Sequence, residues 1–149
     1  MLDIGDTAAD FELLDQEGQV RSLTQLVAEG DLVLYFYPID FSPVCSAQAC
    51  LFRDNHAELR DVGAHVVGIS TQDQASHQRF ASRYELPFPL LCDERKAVAK
   101  AYGVLGPMGV GVRRATFLVD CHKTICNRVV ADLFLGQHSE LIEQTLTGT

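Results

Sequence analysis

The chain has 149 residues, 47% of them hydrophobic and 21% charged, with a formal net charge of −8 at pH 7. That length suits a single domain, residues 1–149, burying about 68–70% of the surface its unfolded form exposes. The charge excludes nucleic acid and anionic membrane surfaces as natural partners, since both would repel it, but leaves small neutral substrates admissible.

In chain order, Asp10-Phe11-Glu12-Leu13-Leu14 and Gln19-Val20-Arg21 flank Asp15-Gln16-Glu17-Gly18, which predicts an N-terminal hairpin turning at the glycine. Ser22 to Ala28 predicts a short helix with Leu23, Leu26 and Val27 on one side and Gly30 as its stop. Leu32-Val33-Leu34-Tyr35-Phe36-Tyr37 is a continuous β-branched and aromatic run ending at Pro38, as expected of a buried strand. A loop follows, and then a helix running from Pro43 to Val62, where Gly63 ends it.

Ala64 to Ser70 is a second apolar strand, followed by a helix with Phe80 and Tyr84 inward. Prolines keep Pro87 to Asp93 extended, Lys96 to Tyr102 forms a short helix closed by Gly103, and Gly103 to Gly111 is a glycine-rich loop. Thr116 to Asp120 and Ile125 to Ala131 predict a second hairpin, and Gln137 to Leu146 a last helix. Strand and helix alternating in the middle, with hairpins at both ends, argue for an α/β fold with parallel crossovers. No apolar run approaches the roughly 18 residues that cross a bilayer, and no basic segment precedes an apolar one at the start, so a cytoplasmic protein without a membrane partner is expected.

Five cysteines are present, an odd number, and none forms a Cys-x-x-Cys pair. In a reducing compartment such cysteines are catalytic, redox-active or buried more often than they form a structural disulfide framework. Cys45 stands out. Pro43 has the fixed φ that suits the first position of a helix, and Ser42 before it is a good N-cap, so Cys45 falls in the first turn. There the unpaired N–H groups and the helix dipole favour an anion, and a thiol's pKa is drawn from about 8.5 to between roughly 3.5 and 7.5. Cys45 is therefore a candidate thiolate nucleophile.

The strand, the loop and the joint spacing Pro38-x-x-x-Ser42-x-x-Cys45 resemble the peroxiredoxins, and a second cysteine five residues on, Cys50, resembles the Q-type or bacterioferritin-comigratory-protein branch. The likeness extends from Asp6 through Thr116-Phe117-Leu118-Val119-Asp120. It implies a thioredoxin-like fold, with a central mixed sheet flanked by helices and an N-terminal β-hairpin extension. It also implies a thiol peroxidase that needs no cofactor or metal. In that scheme Cys45 attacks a hydroperoxide, Cys50 resolves the sulfenic acid as an intramolecular disulfide, and a thioredoxin-like dithiol regenerates both in a monomeric enzyme.

Such an attack builds negative charge on the departing oxygen, so donors must stand where it appears. The motif assigns these to the Ser42 hydroxyl and the N–H groups near Val44 and Cys45, while Pro38 shields the sulfur from water. Read singly, Ser42 is also an ordinary helix cap and Pro38 an ordinary strand terminator. Arg114, before the Ala115–Asp120 strand, matches the family's active-site arginine, in preference to its neighbour Arg113. The likeness has departures: Gln48 stands where a glutamate is usual, Ile39 where this branch often has lysine, and Val44 where glycine is common. Losing the glutamate removes a carboxylate partner of Arg114 and leaves the guanidinium freer to hold the thiolate.

Five residues along an ideal helix correspond to about 140° of rotation and roughly 7.5 Å of rise, so the Cα atoms of Cys45 and Cys50 stand about 8.6 Å apart. A disulfide needs less than about 7 Å, and the helix must unwind before one forms. Cys92 reads as inert packing. Cys121 and Cys126 leave a cross-strand disulfide open, while a metal site shared with Cys45 and Cys50 is weakly supported by x4 spacing. Two further functions remain: a disulfide oxidoreductase acting on protein thiols, against which the missing Cys-x-x-Cys counts, and a redox-sensing or holdase-like binding module exposing apolar surface when the helix unwinds.

Overall fold

A computed structural model describes residues 1–131 and 136–148. The N-terminal hairpin pairs β1 (Glu12–Leu14) antiparallel with β2 (Val20–Ser22). Its turn is closed by the Asp15 carboxylate, which accepts from the N–H groups of Glu17 and Gln19. Next come α1 (Leu23–Ala28), β3 (Asp31–Phe36), α2 (Pro43–Asp61), β4 (Ala64–Ser70), α3 (Gln74–Tyr84) and β5 (Leu90–Cys92). The chain continues through α4 (Ala97–Tyr102), a single 3₁₀ turn (Pro107–Gly109), β6 (Ala115–Val119), β7 (Ile125–Val130) and α5 (Gly136–Thr147).

Five strands form one mixed sheet in the order β5-β4-β3-β6-β7, with β3, β4 and β5 parallel and β6 and β7 antiparallel to their neighbours. This is the α/β, thioredoxin-like arrangement with an N-terminal hairpin that the sequence led one to expect. Side chains along β3 alternate between the two faces, as the period of two requires. Leu32, Leu34 and Phe36 join Leu23, Leu26, Val27, Val98 and Tyr102 of α1 and α4 on one side. On the other, Val33 and Tyr35, with Tyr37 beyond the strand's end, meet Ala49, Phe52 and Leu59 of α2, Phe80 of α3, and Leu141 and Ile142 of α5. Both faces are buried, which explains why β3 reads as a continuous apolar run rather than an alternating one.

Two details position the site. The parallel strands β3, β4 and β5 deliver their carboxyl ends to one edge, where ligand sites in open α/β sheets are found. The antiparallel β6 starts at that same edge, because Phe36 pairs with Ala115, so the residue preceding β6 sits beside the end of β3.

Candidate active site

Between β3 and α2 the chain crosses the sheet edge in six residues, Tyr37 to Ser42. Ser42 is the N-cap of α2: its Oγ accepts from the Cys45 N–H at 3.2 Å, with Pro43 in the first turn. The Ser42 hydroxyl still has its own proton to donate. Val44, in the first turn, has no carbonyl four residues back inside the helix to bond. Phe41 takes the left-handed conformation, φ 69°, a strained setting for a bulky residue that costs roughly 1–3 kcal/mol. Its ring stands edge-on to Phe80 at 5.2 Å.

Cys45 is 1% exposed, so its sulfur is almost fully shielded from solvent. The side chain is not isolated there. Arg114 Nη2 donates to Cys45 Sγ at 3.1 Å, and Nη1 donates to Gln48 Oε1 at 2.6 Å. The guanidinium thus sets a cationic donor against the sulfur, where charge-assisted hydrogen bonds are the strong ones. Extended chain before β6 turns alternate side chains to opposite sides, so Arg114 is buried while Arg113 is exposed. The preference for Arg114 over Arg113 rested on the motif alone; burial and distance supply its geometry.

Gln48 corrects one expectation. The change from carboxylate to amide does not release the guanidinium, because Gln48 Oε1 takes the hydrogen bond a glutamate would take. What changes at this position is charge: the acceptor for Arg114 Nη1 is a neutral amide oxygen in place of a carboxylate. With its oxygen committed to Arg114, the buried Gln48 Nε2 has no hydrogen-bond partner among the described residues, as is also true of Tyr35 Oη beneath the helix. Burial pushes the Tyr35 phenol well above the usual range, with the neighbouring Cys45 charge adding to it, so Tyr35 stays neutral.

The remaining cysteines and Pro38 are spread over the loop, α2 and the sheet. Pro38 is half-buried on the loop, and its carbonyl accepts from Gln72 Nε2 at 3.3 Å. Cys50 is half-buried and lies in α2 with Cys45, in regular helix throughout, and both thiols are free. Cys92, on the sheet-edge strand β5, is buried, and burial pushes its thiol up to about 12, in keeping with inert packing. Cys121 and Cys126 are free and exposed on either side of the β6–β7 turn, with Cys126 Sγ donating to Asp120 Oδ2 at 3.5 Å.

Sequence reasoning missed one part of the site. Asp40, on the same loop, is buried and accepts from Tyr37 Oη, Ser76 Oγ and His77 Nδ1. Burial works against its charge, but the hydrogen bonds from His77, Tyr37 and Ser76 outweigh it and hold the carboxyl below the usual range. The partner lies 37 residues away on another element, beyond the reach of any local spacing rule.

The site thus joins a buried cysteine at a helix N-terminus to a buried arginine that immediately precedes β6. The sequence matches the AhpC/TSA family over residues 4–128. The chain belongs to that family, as a peroxiredoxin of the PrxQ type. It is thus a thiol peroxidase, a class that reduces hydroperoxides.

Peroxiredoxin Q of Arabidopsis thaliana, named as chloroplastic, is 46% identical over 117 residues, 78% of this chain and 54% of its own length. The chain therefore spans about half of that plant relative. A Mycobacterium tuberculosis protein named as a peroxiredoxin is 38% identical over 146 residues, 95% of this chain and 94% of its own. Among solved structures, the peroxidoxin BcpB of Mycobacterium tuberculosis superposes with a TM-score of 0.92 at 36% identity, covering 99% of this chain and 98% of that one. A PrxQ mutant from Xylella fastidiosa gives 0.90 at 26% identity, covering 99% and 97%. Among the described residues, no helix of this peroxiredoxin is long and apolar enough to cross a membrane.

Proposed function

We propose that this peroxiredoxin reduces hydrogen peroxide and alkyl hydroperoxides through Cys45, with Cys50 as the resolving cysteine and a thioredoxin-like dithiol as the reductant. The observation that carries the reading is the 3.1 Å hydrogen bond from Arg114 Nη2 to a sulfur in the first turn of α2. In the first step the Cys45 thiolate attacks the nearer peroxide oxygen, the O–O bond breaks, and the departing RO⁻ takes a proton to leave as ROH. Cys45 is left as the sulfenic acid.

In the second step the Cys50 thiolate attacks that sulfur, the S–O bond breaks, and the hydroxyl leaves as water once protonated. A dithiol then exchanges with the disulfide and is itself oxidised. Arg114 steadies charge on the sulfur and the incoming oxygen, the Ser42 hydroxyl donates to the peroxide, and Pro38 screens the sulfur from bulk water. Since Cys45 and Cys50 both lie in regular helix, the first turns of α2 unwind between the steps.

The same reading takes residues 1–149 as one domain acting as a monomer in a reducing, cytoplasmic setting, consistent with five free cysteines. The deciding experiment treats the reduced protein with one equivalent of hydrogen peroxide, then counts thiols and maps the peptides by mass. Loss of two thiols in one 45–50 disulfide is expected, with Cys45→Ser abolishing peroxide consumption. Consumption that survives Cys45→Ser, or a disulfide between another pair, would overturn the assignment.

A further inference from the structure

The loop before α2 carries at its middle a buried Asp–His pair that the chemistry above does not use. The Asp40 and His77 side chains are 1% and 0% exposed, with Asp40 Oδ2 at 2.7 Å from His77 Nδ1. The other ring nitrogen, Nε2, is 2.9 Å from the carbonyl oxygen of Leu91. A carboxylate and a carbonyl can only accept, so each ring nitrogen faces an acceptor, and the ring is held from both sides, with Ser70 Oγ a further 3.5 Å from Nε2.

Around it the network is dense. Tyr37 Oη donates to Asp40 Oδ1 and Ser76 Oγ to Asp40 Oδ2, each at 2.7 Å. Gln72 extends it: its Oε1 accepts from the Asp40 N–H at 3.1 Å and from Ser70 Oγ at 2.6 Å, while its Nε2 donates to the Pro38 carbonyl at 3.3 Å. Groups from β4, α3 and β5 thus grip a loop whose two ends carry the proposed shield, Pro38, and the proposed donor, Ser42.

Stability alone does not account for such a pair, because apolar residues of similar volume often do as well in its place. What a buried, fully hydrogen-bonded pair supplies is one fixed geometry. Here that geometry is imposed midway between Pro38 and Ser42, beside a Phe41 held at φ 69°. Reaction in line with a buried sulfur is acutely sensitive to such placement.

We propose that Asp40 and His77 form a positioning latch, which fixes the Pro38–Ser42 loop above Cys45 for attack on the hydroperoxide without itself touching the reacting atoms. The inference rests on Cys45 being the peroxide-reactive sulfur. It carries a second consequence. The latch holds the chain as far as Asp40, so the unwinding that pairs Cys45 with Cys50 starts beyond it, at Phe41, and leaves the latch closed.

The test compares the full-length wild type with Asp40→Asn and with the double variant Asp40→Ala/His77→Leu. Replacing both partners together leaves neither one buried without the other, which guards the fold. Melting curves fix a temperature at which all three are folded. Rapid mixing with hydrogen peroxide then gives the second-order rate of Cys45 oxidation, and quenched samples give the rate of 45–50 disulfide formation by mass.

Both variants are expected to oxidise about 10- to 100-fold more slowly, in line with the cost of misplacing reacting groups. Disulfide formation is expected to keep its rate. A folded variant that oxidises at the wild-type rate overturns the latch, and so does an equal slowing of both steps, which would report general loosening. Should the double variant melt too low, Asp40→Asn, which keeps the side chain's shape, decides by the same readings. A wild type that peroxide does not oxidise at Cys45 overturns the reading of that cysteine and the latch with it, whereas full-speed variants of a competent wild type overturn the latch alone.

Discussion

One guanidinium ties Arg114 to both Cys45 and Gln48: Nη2 reaches the sulfur at 3.1 Å while Nη1 reaches the amide oxygen at 2.6 Å. The fork makes the position intolerant of a merely conservative change. Lysine at 114 keeps the charge but presents a single ammonium, which cannot span both acceptors in a fixed plane. Arg114→Lys is expected to lower the second-order rate of Cys45 oxidation by about 10²–10³, the usual cost of losing one donor aimed at developing charge. Stopped-flow mixing with hydrogen peroxide measures it, and a rate within a few-fold of wild type would remove Arg114 from the mechanism.

Gln48 separates the hydrogen bond from the charge. Gln48→Glu keeps an oxygen where Arg114 Nη1 points but adds a negative charge three residues from Cys45 on the same helix face. The carboxylate neutralises the guanidinium and competes with the sulfur for its field, so slower oxidation of Cys45 at neutral pH is expected, with little change in melting temperature. Faster oxidation in the variant would show that guanidinium rigidity, rather than its net charge, limits the step.

Cys92 offers a contrast in the same molecule. Among the described residues no cationic donor is hydrogen-bonded to it, and burial with nearby carboxylates, Glu94 and Asp40 foremost, pushes its thiol up to about 12. A thiol is reactive only as its thiolate. Native protein treated with iodoacetamide near neutral pH should therefore leave Cys92 unlabelled, and Cys92→Ala should oxidise at the wild-type rate. Rapid labelling of Cys92 in the folded state would contradict its placement in the sheet.

Legibility in the sequence followed how local each feature was. Ser42, Pro43 and Cys45 define a helix start through contacts spanning three residues, so cap, proline and thiol were readable together. The strands were readable because their apolar runs are bounded by proline and glycine; β5 shrank to Leu90–Cys92 within the longer extended stretch. Arg114 needed the family motif, since nothing in an Arg-Arg pair says which side chain turns inward until β6 pairs with β3. Asp40 and His77 were invisible: an aspartate in a loop and a histidine on a helix each have an ordinary surface reading, and only the packing of α3 against the loop unites them. The missing carboxylate at position 48 was legible, but the hydrogen bond that Gln48 makes to Arg114 was not.

Acid stability should reflect two separate windows. Burial, the larger influence, lowers both His56 and His65 below the usual imidazole value of about 6.5, and His65 Nε2 lies 2.8 Å from the Leu26 carbonyl. The unfolded chain therefore binds a proton first as pH falls, so the stability these histidines allow is complete above about 6.5 and declines below it. Asp40 acts later. Its carboxyl is held below 3.8 in the fold, so its contribution is full above that value and is lost as pH falls through the folded pKa. Melting temperatures taken from about pH 7.5 down to 3 should fall first across the histidine window and again at the acid end. His65→Gln should flatten part of the first decline, and a curve that is level between about pH 7.5 and 5.5 would contradict the buried neutral histidines.

The proposed 45–50 disulfide would make the most direct demand on the fold. Cys45 and Cys50 lie in α2 among buried Gln48, Ala49 and Phe52, so joining the sulfurs breaks backbone hydrogen bonds and pulls Gln48 away from Arg114. Oxidation with one equivalent of hydrogen peroxide should lower the far-ultraviolet helical signal, and a dithiol reductant should restore it. Cys50→Ser should stop at the sulfenic acid, trappable by a dimedone reagent, with its ellipticity kept. Anchoring matters equally: Phe52→Ala, which empties a fully buried ring stacked on Tyr35 at 4.6 Å, should cost about 3–5 kcal/mol of stability. The same loosening should speed disulfide formation from the sulfenic acid, because less packing then opposes unwinding. An oxidised protein with a mapped 45–50 disulfide and unchanged ellipticity would mean that the helix accommodates the bond by some route other than unwinding.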